Sequence, residues 1–143
     1  MSDIAVGSGR ELARGATFVI HGARRVVWCT ISVPPGLDPA QGAAAGEAMG
    51  AYLLDHVLSR HSEWLGVVLD AREGPSVLGP ISLRVMERIL ERAELVRRPL
   101  AIVMGPRPRL EEQLSAIVRQ VAPRFATLTS DRSKALDWMT ASR

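Results

Sequence analysis

The chain is predicted to fold as an α/β domain: a mixed, mostly parallel sheet of about five strands, opened by an antiparallel hairpin and clad by four helices. Three observations predict it. Two short, continuously apolar runs, "WLGVVLD" and "RPLAIVMG", have the length and composition of strands buried on both faces. Helix-length segments with apolar residues three and four apart separate and follow them. Ahead of both, "ATFVIHGARRVVWCTIS" holds two β-branched runs on either side of a turn.

The elements follow in order. Residues 1–14 are small, polar and Gly-bearing, and are expected to form a flexible arm or an imperfect edge strand before one domain over 15–143. Thr17–Ile20 and Val26–Ile31 are the hairpin strands, with the Gly22 region supplying the positive φ of the bend. The Arg24–Arg25 pair just past that turn is expected to point to solvent. "VPPGLDPAQG" then breaks the strand, and Asp38 before Pro39 is a helix cap followed by a first-turn proline. An Ala-rich helix runs from there to about Ser59. Gly42, Gly46 and Gly50 weaken it and, spaced by four, are expected to let it lie close against the sheet.

"WLGVVLD" gives the next strand, ending at Asp70, and Ala71–Pro80 forms the loop after it. A helix over about Ile81–Leu95 presents Ile81, Val85, Ile89 and Ala93 as one inward stripe, widened by Met86 and Leu90. "RPLAIVMG" is a second buried strand. In "PRPRLEEQLSAIVRQVAP", Leu110, Leu114, Ile117, Val118 and Val121 mark a helix that Pro123 stops. "FATLTS" is the last strand, and "SDRSKALDWMTAS" the last helix, capped by Ser130 or Asp131. The order β-β-α-β-α-β-α-β-α with right-handed crossovers puts the loops after residues 70, 105 and 129 on one carboxyl edge of the sheet.

That element order, together with "VVLDAR" at mid-chain and "SKALDW" near the end, resembles the STAS-type domain of anti-sigma-factor antagonists. It is still more similar to bacterial relatives of that domain, sometimes grouped with the CRAL-TRIO lipid-binding fold. The likeness spans residues 15–141. It implies a regulatory or signalling domain in the cytoplasm, without catalysis or cofactor. Its partner would be a protein, of a kinase-like or sigma-factor-regulator kind, and a homodimer stays open. In the antagonists, a serine in an Asp-Ser-Ser-Gly sequence at the second helix is phosphorylated. Here the corresponding region reads "EGPSVLGPIS", so Ser76 is the candidate acceptor, but neither it nor Ser82 follows an Asp or precedes a Gly. That departure weakens the switch the resemblance implies.

Composition excludes several classes. Of 143 residues, 47% are hydrophobic and 23% charged, as in a globular chain, and no apolar run approaches a membrane span. The pI is near 10, yet the net charge is only +3 and aromatics are 4%, which argues against nucleic acid. Cys29 is the single cysteine and shares a strand face with Val27 and Ile31, as core. His56 and His61 stand about 140° apart on a helix, so no metal site is expected.

Three groups are left to carry function. Asp70, with Arg72 nearby, is either a reacting carboxylate or a local hydrogen-bond acceptor, and no second reacting group accompanies it. Arg107 and Arg109, before a helix N-terminus, are candidate anion ligands, although Glu111 and Glu112 follow at once. The loop from Asp70, with Arg72 and Ser76, and the helix face of Arg84, Glu87, Arg88 and Glu91 are the candidate partner surface. Two alternatives to the regulatory reading are a carrier of a lipid or small molecule, with the Gly/Ala-rich first helix lying over an apolar cavity, and an enzyme using Asp70 with Arg107 or Arg109. An apolar cavity would favour the first, and side chains converging in a cleft the second.

Overall fold

The computed structural model describes residues 9–141. Its sheet has six strands in the order of the chain: β1 (Arg10–Arg14), β2 (Phe18–Ala23), β3 (Val26–Ser32), β4 (Gly66–Glu73), β5 (Leu100–Val103) and β6 (Ala126–Thr129). The β1–β2 and β2–β3 pairs are antiparallel, and β3 to β6 run parallel. The α/β class, the opening hairpin and the four helices are as expected. Of the two possibilities for the N-terminal segment, a flexible arm or an imperfect edge strand, Arg10–Arg14 is the edge strand, paired to β2, which makes six strands in place of about five. Its exposed Arg10, Glu11 and Arg14 are the charges that guard an open sheet edge. Residues 1–8 of the expected arm lie outside the described residues.

The helices are α1 (Pro39–Tyr52, continued by a wider π turn at Leu53–Val57), α2 (Pro80–Val96), α3 (Pro108–Val121) and α4 (Arg132–Thr140). In a sheet whose parallel strands add in chain order, right-handed crossovers all step the same way. Accordingly α1, α2 and α3 share one face, where Leu53, Ile89 and Leu114 pack on Ile20, Val27, Leu69 and Ile102. The last helix covers the other face, with Ala135 and Met139 against Val26, Trp28, Val68 and Val103. Cys29 is fully buried in the first core, and burial pushes its thiol up to about 12, so it is inert at neutral pH.

Two expectations about the backbone are corrected. The hairpin bend is not at Gly22: the positive φ values belong to Arg24 (53°) and Arg25 (70°), both exposed. Gly22 lies in β2, opposite Val27, and is needed there because a Cβ would overlap the Trp64 ring. The second correction concerns β4, which runs three residues past Asp70, to Glu73. Ala71 is still a core residue at 4% exposure, and Glu73 still pairs with Ser32. Asp70 is therefore inside the strand, and the loop that follows is only Gly74–Gly79.

Candidate functional site

The carboxyl edge of the sheet gathers the turns after β3, β4, β5 and β6. Alternation along β4 sends Leu69 and Ala71 toward the three-helix core and Asp70 to the opposite face, beside Thr30 and Val103. There the Arg72 guanidinium donates twice to Asp70, Nε to Oδ1 at 2.9 Å and Nη2 to Oδ2 at 2.6 Å, and the Arg72 backbone N–H adds a third bond at 3.2 Å. Burial pushes the Asp70 carboxyl up, the largest single influence. The side-chain and backbone bonds from Arg72, with the charges of Arg72 and Arg132, outweigh it and hold the group below the usual carboxylate value. Arg132, the first residue of α4, lays its guanidinium over the Trp28 ring at 5.3 Å. A carboxylate so fully engaged is a poor proton acceptor at neutral pH.

The expected arginine pair separates. Arg107 donates from Nε to the Gly74 carbonyl oxygen at 3.0 Å, so it ties the turn before α3 to the loop after β4. Arg109 is exposed in the first turn of α3. The cations that act on Asp70 are Arg72 and Arg132, not this pair. Gln113, which the sequence reading passed over, holds the same loop at its other end. Its Oε1 accepts from the Leu78 N–H at 2.8 Å, and its Nε2 donates to the Leu78 carbonyl oxygen at 3.1 Å. Between these anchors Ser76 and Val77 are exposed. Ser76 precedes the Gly79 cap of α2, and Ser82 lies in its first turn. Arg84, Glu87, Arg88 and Glu91 line the exposed side of α2. Among the described residues no cluster of three metal-ligating side chains occurs, and no helix is long and apolar enough to cross a membrane.

An apolar concavity lies beneath the Gly/Ala-rich first helix, where the carrier alternative places one. A half-open cavity of about 450 Å³ enters at the carboxyl edge between α1 and α2 and reaches the sheet at Leu69 and Ile102. Its other floor residues, Val85, Leu110 and Leu114, are each 2% exposed. Four large hydrophobic side chains are exposed among the described residues, and three of them, Val33, Val77 and Ile81, line this cavity. Ile81, expected in the inward stripe of α2, is one of them, at 41% exposure. Sealed and empty, such a volume would cost about 10 kcal/mol at ~24 cal/mol per Å³, as much as the whole stability of an ordinary domain.

Local sequence explains why the space is there. Asp38 caps α1 in a reciprocal box, accepting from the Gln41 N–H at 2.8 Å while the Asp38 N–H donates to Gln41 Oε1 at 3.2 Å. The first half of α1 then offers only Gly42, Ala43 and Gly46 to the layer below. These small residues do not draw the helix onto the sheet, as expected; they line the gap. Only Gly50 makes a close approach, and it does so to α2, where a Cβ would stand 2.7 Å from Val85 Cγ1.

The chain matches no family model and no curated protein. Among solved structures it is similar to the NMR structure of the protein TM1081, at 14% identity and a TM-score of 0.59. That similarity covers 92% of this chain and 94% of that one, and at such identity it shows a shared fold.

Proposed function

We propose that this chain is a STAS-like regulatory domain that works by docking a protein partner on its carboxyl edge, with no catalytic chemistry of its own. The observation that carries this reading is the gathering of Val33, Val77 and Ile81 on one rim. Exposed apolar side chains scattered singly are ordinary, but a group beside one loop marks a contact surface. The exposed α2 side chains Arg84, Glu87, Arg88 and Glu91 continue away from Ile81 along the helix with both signs of charge, which would select a partner and set its approach rate. The mixed signs fit a protein surface better than a phosphate backbone. Asp70, bound to Arg72 on the other face of the sheet, supports the absence of acid–base chemistry. Ser76, exposed on the same loop, is where phosphate would alter the docking surface.

Affinity capture with immobilised wild-type protein and a Val77→Asp/Ile81→Asp double variant tests the proposal. A stoichiometric protein is expected on the wild type and absent from the folded double variant, and it should rebind after purification. Equal capture by both forms, or none by either, would overturn the reading.

A further inference from the structure

The cavity beneath that rim is built for a different occupant from the rim itself. The geometry points to a binding site for an uncharged, single-chain apolar molecule, its hydrocarbon part between α1 and α2 and its polar end at the mouth. This goes beyond the partner reading, because it concerns the interior and not the surface.

Three observations carry it. The floor residues Leu69, Ile102 and Leu114 are at most 2% exposed, so the space open to an occupant is the narrow cleft above them, between Gly42, Ala43 and Gly46 of α1 and the start of α2. A partner helix, roughly 10–12 Å across with its side chains, is too thick for it. Second, the volume of about 450 Å³ is three times the roughly 150 Å³ of a cavity that holds one benzene, which makes room for roughly 12–18 carbon atoms. Third, the lining has almost no polar partners for water. Among the described residues it contains two hydroxyls, Thr17 and Ser82, and one charged side chain, Asp38.

Asp38 decides the headgroup. It stands at the mouth with its carboxylate engaged at the N-terminus of α1, and no arginine or lysine lines the cavity to offset it for an incoming anion. The N-terminus of α2 contributes only about half a positive charge, less than the full negative charge of Asp38. The Ser82 hydroxyl and the first-turn N–H groups of α2 suit a neutral acceptor instead, such as an alcohol or an ester oxygen.

Calorimetric titration of the full chain with 1-dodecanol, and with dodecanoate in mildly alkaline buffer where it is ionised, tests this. Wild type is expected to bind 1-dodecanol at one saturable site and dodecanoate roughly tenfold more weakly or worse. Ala43→Phe, which fills the cavity from the half-buried side of α1, should abolish dodecanol binding while the circular dichroism spectrum is kept. Were that variant misfolded, Gly46→Leu from the next turn gives the same readout. No saturable dodecanol binding, or equal binding by a folded cavity-filled variant, would overturn the site, and equal or tighter dodecanoate binding would overturn the neutral headgroup. Loss of partner capture in a folded Ala43→Phe protein whose wild type ignores dodecanol would assign the groove to the partner. Failure of capture alone leaves the ligand result standing.

Discussion

The two edges of the sheet are built on opposite terms. At the amino edge the strand ends are closely packed, although an open hollow of about 460 Å³ lies beside them, bordered by Arg10, Arg24, Arg25 and Glu63. A Cβ on Gly66 would overlap the Pro99 carbonyl oxygen and Met139 Sδ, and one on Gly22 the Trp64 ring. Arg98 spreads its guanidinium over the backbone that leads into β4, donating to the carbonyl oxygens of Ser62 at 2.7 Å, Trp64 at 3.1 Å and Arg60 at 3.3 Å. At the carboxyl edge, a Cβ on Gly42 or Gly46 of α1 would make only an ordinary contact, at 3.6 Å, and three large apolar side chains stand in solvent. A domain has only a narrow margin of stability, so looseness at one end has to be matched by close packing elsewhere. Here the division is spatial: close contacts between backbone and side chains gather at the amino edge, and the apolar cavity opens at the carboxyl edge.

The sharpest break of that contrast is Gly66→Ala. One methyl group there meets backbone, which cannot swing aside, and a loss of about 3 kcal/mol is expected in urea unfolding. A loss under about 1 kcal/mol would mean that the amino edge is looser than its geometry. Next in size is Arg98→Met, which keeps the apolar stem and removes the donors. Several carbonyls lose a charged partner together, and about 2 kcal/mol is expected, with earlier hydrogen exchange over residues 59–65.

How much of this contrast could be read in the sequence follows from what periodicity measures. Continuous apolar runs reveal strands buried on both faces, so β4 and β5 were legible, and so was Asp38 as a cap. Periodicity says which side chains turn inward but not how far apart two layers stand. Gly42 and Gly46 therefore fit a close approach and a roof over a cavity equally well, and they border a gap; Ile81 fits an inward stripe but stands at the gap's mouth. Sequence left strand β1 open between a flexible arm and an imperfect edge strand, because its edge position is marked by charge in place of apolar alternation. Gln113 and Arg98 escaped for another reason: their partners are backbone groups more than thirty residues away, for which local sequence holds no signal.

Acid should act on contacts that hold elements together, whichever edge they serve. Glu94, near the end of α2, accepts from the Arg124 Nε at 2.7 Å and from the Arg124 and Phe125 N–H groups, joining that helix to the approach to β6. Burial pushes its carboxyl up, but these bonds and the Arg124 charge hold it below the ordinary value of 4.5. A lowered folded-state pKa gives stability that is present above the unfolded value and lost as pH falls through the folded one. Wild type should therefore exceed Glu94→Gln in stability by a constant amount, about 1–2 kcal/mol, at neutral pH. The difference should shrink once the pH falls below about 4.5. A gap unchanged in acid would mean that the carboxylate charge contributes nothing.

The smallest effect comes from two glycines one helical turn apart. A Cβ at Gly46 has the Ser82 Oγ as its nearest neighbour, at 3.6 Å, an ordinary contact, whereas at Gly50 it would press to 2.7 Å on Val85 Cγ1. Both substitutions by alanine gain helix propensity, up to about 1 kcal/mol. At Gly46 nothing opposes that gain, so the protein should become more stable; at Gly50 overpacking against α2 should cancel or reverse it. The boundary between the tight and the open halves of the molecule then falls within α1 itself, between these two positions. Equal effects at both would move it elsewhere.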